Sequence, residues 1–119
     1  MTDLTMSLTM NDYQAECAST MIYDMKVIYP AFGLANEAGE VLGKMKKMIR
    51  DQKVQLDQPS ALSDKQRTDI AAELGDVMWY IAALSRDLGI SLNQVAHMNL
   101  EKLASRKQRG VLGGSGDNR

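Results

Sequence analysis

The sequence predicts an all-α protein built as a four-helix bundle, and three observations support this fold class. Apolar residues recur three or four positions apart along four segments, as they do on amphipathic helices. Three of these segments follow a Ser or Thr that can cap a helix. The alternating pattern that is typical of β-strands is missing from the sequence.

The first half of the chain contains two predicted helices. The first is predicted to begin after Thr9, with Asp12 as its capping partner three positions on. Pro30 is expected to end this element or to bend the chain. The second helix is predicted from about Phe32 to Arg50, because apolar residues repeat on one of its sides. These residues are Leu34, Ala38, Val41, Met45, Met48 and Ile49.

The second half contains the other two helices and a tail. Ser63 is predicted to cap a third helix, which continues to about Asp87. Ser91 with Gln94 forms a capping box for a fourth helix, which fades near Gly110. We therefore expect one helical domain, 1–109, and an irregular Gly-rich tail, 110–119.

Composition excludes several classes of protein. Of the 119 residues, 45% are hydrophobic and 24% are charged, and the net charge of −1 gives no general attraction to nucleic acid or to an acidic membrane. The single cysteine, Cys17, rules out an internal disulfide and favours a reducing compartment. The sequence has neither a secretory signal nor a run long enough for a membrane helix, so we expect a cytoplasmic protein.

Two acidic motifs are the strongest functional signal. Glu37 and Glu40 on the second helix, and Glu73 and Asp76 on the third, are spaced three apart at the edge of an apolar face. Like charges at this spacing repel, and burial increases the repulsion. Divalent cations relieve it, and carboxylate ligands favour Mg²⁺, with Mn²⁺ as a substitute, over zinc. The alternative is that both pairs lie on solvated helix faces.

The third helix is apolar nearly all round. Ile70, Leu74, Val77, Ile81 and Leu84 form one stripe, whereas the opposite side carries Ala72, Trp79 and Ala83. A helix of this kind is buried on several sides, which a four-helix monomer rarely achieves. We therefore expect a homodimer that packs through this apolar back of the third helix, around Trp79.

The fourth helix is basic. Asn99, Lys102 and Arg106 share one face, and from His97 to the end five bases oppose two acids. An acidic metal cluster combined with a cationic helix favours a ligand that is both metal-bound and polyanionic, such as a phosphate chain. Lys44, one turn beyond Glu40, and Tyr80, one turn beyond Asp76, are further candidates for binding it. A solvated basic face is the alternative.

The assembled motifs resemble one enzyme family. Four stretches carry the resemblance: GLANEAGEVLGKMKK, ELGDVMWYIAAL, NLEKLASRKQRG and the terminal GSGDNR. They are similar to the MazG-like nucleoside triphosphate pyrophosphohydrolases of the all-α NTP pyrophosphatase superfamily. The hallmark of that family is Glu-x-x-Glu on one helix and Glu-x-x-Asp on the next, which here are Glu37, Glu40, Glu73 and Asp76.

The resemblance implies a MazG fold that dimerises, in some relatives into a pair of dimers, with the active site near the subunit interface. It implies Mg²⁺-dependent hydrolysis of a nucleoside triphosphate to the monophosphate and pyrophosphate. The four acids would hold the metal, with Glu40 our choice as general base, while Asn99, Lys102, Arg106 and Tyr80 match substrate-contacting positions. Asn36 replaces the first residue of an acidic doublet that many members carry, and the connector between the motifs is longer than in the most compact members.

Two other functions remain open at this point. The same chemistry can act on a non-canonical nucleotide or a regulatory alarmone. A different class is a non-catalytic helical module, antitoxin-like, whose acids form a recognition surface. Such a module would bind no metal specifically.

Overall fold

The computed structural model describes Leu4 and residues 6–119, which form four helices. These are α1 (Met10–Cys17), α2 (Ile28–Gln52), α3 (Asp64–Asp87) and α4 (Leu92–Gln108). Single 3₁₀ turns lie at Ala18–Thr20 and Pro59–Ala61, and the described residues contain no strand. None of the described helices combines the length and the hydropathy that a membrane span needs. The predicted all-α, four-helix fold is confirmed.

The helix boundaries follow the local chemistry of the sequence. Thr9, Ser63 and Ser91 each form a complete capping box with the residue three positions later, so α1, α3 and α4 begin where predicted. Gly89 and Gly110, both with φ near +70°, follow the ends of α3 and α4. Glycine adopts this left-handed conformation without steric cost, which explains both helix ends.

The start of α2 differs from the prediction. The helix begins at Ile28 rather than near Phe32, and Pro30 lies inside its first turn instead of ending an element. Proline is tolerated there because a backbone N–H in the first turn has no partner within the helix. The Pro30 ring is fully buried, so it also contributes to packing.

Helices α2 and α3 form an antiparallel pair, and α1 lies across α3 and α4. The Gln14 side chain of α1 joins these elements: its amide donates to the carbonyls of Ala82 and Ile90 at 3.2 Å, and its oxygen accepts from the Leu92 N–H at 3.0 Å. The bonds to Ile90 and Leu92 satisfy polar groups at the turn between α3 and α4, and the bond to Ala82 ties α1 to α3.

Trp79 makes contacts within its own chain. Its ring packs against the chain's own core of Cys17, Ala82 and Leu92, and its Nε1 donates to Thr20 Oγ1 at 2.7 Å. The end of α1 and the following 3₁₀ turn thus contact this side of α3, and Trp79 stays partly exposed. The apolar stripe on the other side of α3 is partly open, with Leu74 50% exposed.

The four helices do not close into a compact bundle. The radius of gyration is 17.2 Å, whereas a compact domain of this length has about 13.5 Å. The exposed surface is 8944 Å², against roughly 6,400 Å² for a monomer of 13.2 kDa. Large apolar side chains such as Phe32, Leu42, Leu74 and Met78 lie on the outer surface of α2 and α3.

Candidate metal and nucleotide site

Three of the four predicted acids converge between α2 and α3. Glu37 projects from α2, and Glu73 and Asp76 project from successive turns of α3. One carboxylate oxygen from each lies within 4.8 Å of the others. Two oxygens that share one ion at about 2.0–2.5 Å lie at most about 5 Å apart, so this spacing suits a common cation. We call Glu37, Glu73 and Asp76 the acid group.

Glu40 lies outside the acid group. It is exposed on α2, one turn beyond Glu37, and it acts on Glu37 through its charge. Lys44, one turn further on, places its Nζ 3.3 Å from Glu73 Oε1. Asp69, on the same flank of α3, is paired with Lys65 at 2.7 Å and does not join the group.

The electrostatics of the acid group favour a cation. Burial, followed by the charges of Asp76, Glu73 and Glu40, raises the pKa of Glu37 above its ordinary value. Lys44 is the one base in ion-pair contact with the group among the described residues. Three carboxylates therefore share one paired lysine, and an all-oxygen donor set suits a hard divalent cation.

Aromatic side chains stand beside the acid group and form what we call the aromatic wall: Tyr23, Tyr29, Trp79 and Tyr80. Tyr23 stacks on Tyr29 with ring centroids 5.0 Å apart, and Trp79 meets Tyr80 edge-on at 4.9 Å. Tyr29 and Tyr80 lie 6.1 Å apart, and a hydrogen bond between them, followed by burial, raises the pKa of Tyr80 to about 12. The wall thus runs unbroken from the turn before α2 to the middle of α3.

Gly33 allows Tyr80 to approach α2. A Cβ at this position would overlap the Tyr80 ring, whereas Gly39 and Gly43 on the same helix face open space. The ring therefore lies directly on the α2 backbone, one helical turn before Glu37. This contact places Tyr80 of the aromatic wall against the helix that carries Glu37.

Two cavities meet at Tyr80. The first, of about 320 Å³, is lined by Glu37, Asp76, Trp79 and Tyr80, and we call it the acid cavity. The second, of about 380 Å³, is largely apolar, and we call it the aromatic cavity. It is lined by Met25, Ile28, Tyr29, Phe32, Gly33, Asn36 and Tyr80. The charged acid cavity thus adjoins the apolar aromatic cavity, which the Asn36 amide also lines.

The basic residues of α4 do not reach the acid group within the chain. Asn99 and Lys102 line a separate cavity of about 340 Å³ with apolar neighbours from α4 and the preceding turn. Arg106 is only 6% exposed, and its Nη2 donates to the carbonyl of Asp117 at 2.9 Å. In the described structure, Arg106 holds the C-terminal tail against α4.

Comparison with known proteins identifies the family. A family model described as the MazG nucleotide pyrophosphohydrolase domain matches residues 31–111. The chain belongs to the MazG nucleotide pyrophosphohydrolase family. The matched stretch of this MazG domain contains the whole acid group.

One curated relative of this MazG domain is the Gene 37 protein of Mycobacterium phage L5. It is 44% identical over 115 residues, which cover 90% of this chain and 96% of the relative. Its name states no activity. No solved structure matches the chain.

Sequence reasoning did not find part of the aromatic wall. Tyr23 lies in the segment between α1 and α2, which has no helical period, so no pattern predicts which way it faces. Tyr29 falls before the predicted start of α2. A correct start at Ile28 would have placed Tyr29 two turns before Glu37 on the same helix. This spacing is the one feature of the sequence that could have predicted Tyr29 near the acid group.

Proposed function

We propose that this MazG domain is a Mg²⁺-dependent nucleoside triphosphate pyrophosphohydrolase that yields a nucleoside monophosphate and pyrophosphate. The observation that carries the proposal is the convergence of Glu37, Glu73 and Asp76 from two helices, with their oxygens within 4.8 Å. Membership of the family supports this reaction class, and the acid group supplies oxygen ligands that fit Mg²⁺.

Each acid has a proposed role. Glu37, Glu73 and Asp76 would hold Mg²⁺, or Mn²⁺ in its place, and Glu40 completes the set proposed from the motif. The metal when bound would polarise the phosphates and lower the pKa of a water molecule. Glu40 would take the proton from the attacking water as general base, and its exposed carboxylate one turn from Glu37 leaves it free for this task.

Lys44 and Tyr80 are proposed to bind the substrate. Lys44 Nζ already lies beside the acid group, where it can neutralise charge on the phosphates as the bond breaks. Tyr80 joins the acid cavity to the aromatic cavity. A nucleoside in the aromatic cavity would therefore have its phosphates directed at the acids.

We further propose a homodimer, which can pair again into a dimer of dimers. The open shape and the exposed apolar side chains of α2 and α3 support this proposal. They favour the outer surface of these helices, which carries Leu42 and Leu74, over the side of α3 that carries Trp79. Asn99, Lys102 and Arg106 would then contact phosphates across the subunit interface, since within one chain they lie apart from the acids. Light scattering of Leu42→Asp should show a monomer where the unmodified chain shows a dimer.

The proposed function is tested by pyrophosphate release. The purified chain is incubated with Mg²⁺ and each common ribo- and deoxynucleoside triphosphate, and then with modified nucleotides and a guanosine-based alarmone. Release from at least one triphosphate, with the monophosphate formed in equal amount, supports the proposal. Release confined to a modified nucleotide or alarmone favours the same chemistry on such a substrate. No release from any of them, with no Mg²⁺ binding, favours a non-catalytic binding module.

The thiol of Cys17 supports a proposal for the compartment. The single cysteine, Cys17, is buried and free. We propose that the protein acts in a cytoplasmic, reducing environment, which keeps such a thiol intact.

A further inference from the structure

A strained turn immediately precedes α2. Val27 has φ +67° and ψ −57°, and the N–H of Ile28 donates to the carbonyl of Lys26 at 2.7 Å. These angles and this bond define a γ-turn centred on Val27, in its rare and strained form. Positive φ is especially unfavourable for a β-branched residue, so such a turn persists only where neighbouring groups hold it.

Asp87, the last residue of α3, holds this turn at two points. Its Oδ2 accepts from the backbone N–H of Val27 and from the hydroxyl of Tyr23, both at 2.9 Å. Because the acceptor is a carboxylate, each bond is stronger than one between neutral groups. Both donors belong to the segment that joins α1 to α2, and a single side chain of α3 therefore fixes the path of that segment.

The turn is linked to the aromatic wall by direct contacts. The Tyr23 ring stacks on Tyr29 at an interplanar angle of 18°, and Tyr29 is the second residue of α2. Tyr29 in turn contacts Tyr80, which lines both the acid cavity and the aromatic cavity. A change at Asp87 would thus reach the cavities through Tyr23 and through the start of α2.

We propose that Asp87 is a positioning residue: it holds the strained turn at Val27 and so fixes Tyr29 and Tyr80 beside the acid group. The nature of the ligand rests on the proposed function, whereas the positioning itself does not. Asp87 lies eleven residues after Asp76 on α3, a rise of about 16 Å, so it acts on the aromatic wall without touching the acid group.

A double-mutant cycle tests this role. Glycine adopts positive φ without steric cost, so Val27→Gly should free the turn from its dependence on Asp87. Asp87→Ala alone should lower the Tm by about 5–8 °C and change the near-ultraviolet circular dichroism of the aromatic wall. It should raise KM about tenfold, with kcat within about threefold, because positioning acts on binding. In the Val27→Gly background the changes in circular dichroism and KM should fall to about half, because glycine keeps the turn without help from Asp87. The Tm loss should not fall, since the N–H of residue 27 and the Tyr23 hydroxyl lose their acceptor in either background.

Two controls separate the turn from other effects. Tyr23→Phe removes the other bond to Asp87. The Tm loss that it causes should be the same in the Val27→Gly background as in the unmodified chain. Asp57→Ala removes an exposed acid from the connector and should change neither the Tm nor the circular dichroism. Mn²⁺ affinity should stay within about twofold in Asp87→Ala, because the acid group keeps its ligands.

Two results would overturn the positioning role. One is additivity in the positional readout: Asp87→Ala changes the circular dichroism as much in the Val27→Gly background as it does in the unmodified chain. The other is a loss of Mn²⁺ affinity beyond about tenfold, which would mean that Asp87 supports the whole fold. The circular dichroism needs no substrate, so it decides the matter even if the unmodified chain releases no pyrophosphate. Absence of release would reject the proposed function instead.

Discussion

Lys44 and Glu73 face each other across the α2–α3 pair, with Nζ 3.3 Å from Oε1. Glu73 keeps only 15% of its side chain exposed, whereas Lys44 keeps 37%. The lysine therefore lies on the solvent side of Glu73 and partly neutralises the acid group. A bound cation would take over this neutralisation and release Lys44 toward a phosphate.

Replacing Lys44 tests this exchange. Lys44→Met should tighten Mg²⁺ binding about two- to fivefold, because the cation no longer competes with an ammonium for Glu73. The same change should lower kcat about tenfold, because the positive charge of Lys44 no longer offsets the negative charge on the phosphates in the transition state. Lys46→Met, an exposed neighbour on α2, is the matched control for calorimetry and turnover. Unchanged Mg²⁺ affinity and unchanged turnover in Lys44→Met would contradict the idea that a cation replaces Lys44 beside Glu73.

Glu73→Gln tests the catalytic role of the acid group. Glutamine keeps the shape of the side chain and removes its charge, so helix content and oligomeric state should stay unchanged. Pyrophosphate release should fall at least a thousandfold, on the order expected when a metal ligand is lost. Near-normal activity in this variant would refute the assignment.

Gly33→Ala tests the contact between the Tyr80 ring and the backbone of α2. The added methyl group should displace the Tyr80 ring and cost about 1–3 kcal/mol of unfolding free energy. KM should rise while the Mg²⁺ affinity stays close to that of the unmodified chain. Gly39→Ala on the same helix faces open space and should instead add about 0.5–1 kcal/mol. Equal effects of the two substitutions on the denaturant midpoint would show that the ring contact is unimportant.

Tyr23 gives a prediction for alkaline pH. Burial, followed by the hydrogen bond to Asp87, raises the pKa of Tyr23 to about 12. A pKa raised above the unfolded value of about 10 contributes stability that is complete below pH 10 and is lost between about pH 10 and 12. The fall in Tm across this range should be smaller in Tyr23→Phe. The ultraviolet titration of Asp87→Ala should show one more tyrosine ionising near pH 10, and an unchanged titration would argue against the bond.

The sequence predicts those parts of the structure that depend on local chemistry. Capping by Thr9, Ser63 and Ser91 fixes three helix starts, because each cap is a bond between residues three apart. The spacing of Glu73 and Asp76 places both on one side of α3. The same spacing on a neighbouring helix predicts their convergence with Glu37, and the structure brings these three acids together.

What the sequence could not predict depends on contacts between distant residues. Periodicity alone cannot show that Trp79 packs against Cys17, at the end of α1. No local pattern predicts the turn at Val27, since a valine with positive φ violates local preference and is held by Asp87, sixty residues away. The position of Arg106 under the tail likewise follows from its bond to Asp117.

The central claim is that Glu37, Glu73 and Asp76 form one site for a hard divalent cation, and calorimetric titration with Mg²⁺ and Mn²⁺ tests it most directly. We predict saturable binding of both ions, weakened at least tenfold by Asp76→Asn and unchanged by Asp69→Asn, whose carboxylate is paired with Lys65. Binding that is absent up to about 10 mM of either ion, or that is equally strong in Asp76→Asn, would contradict the claim.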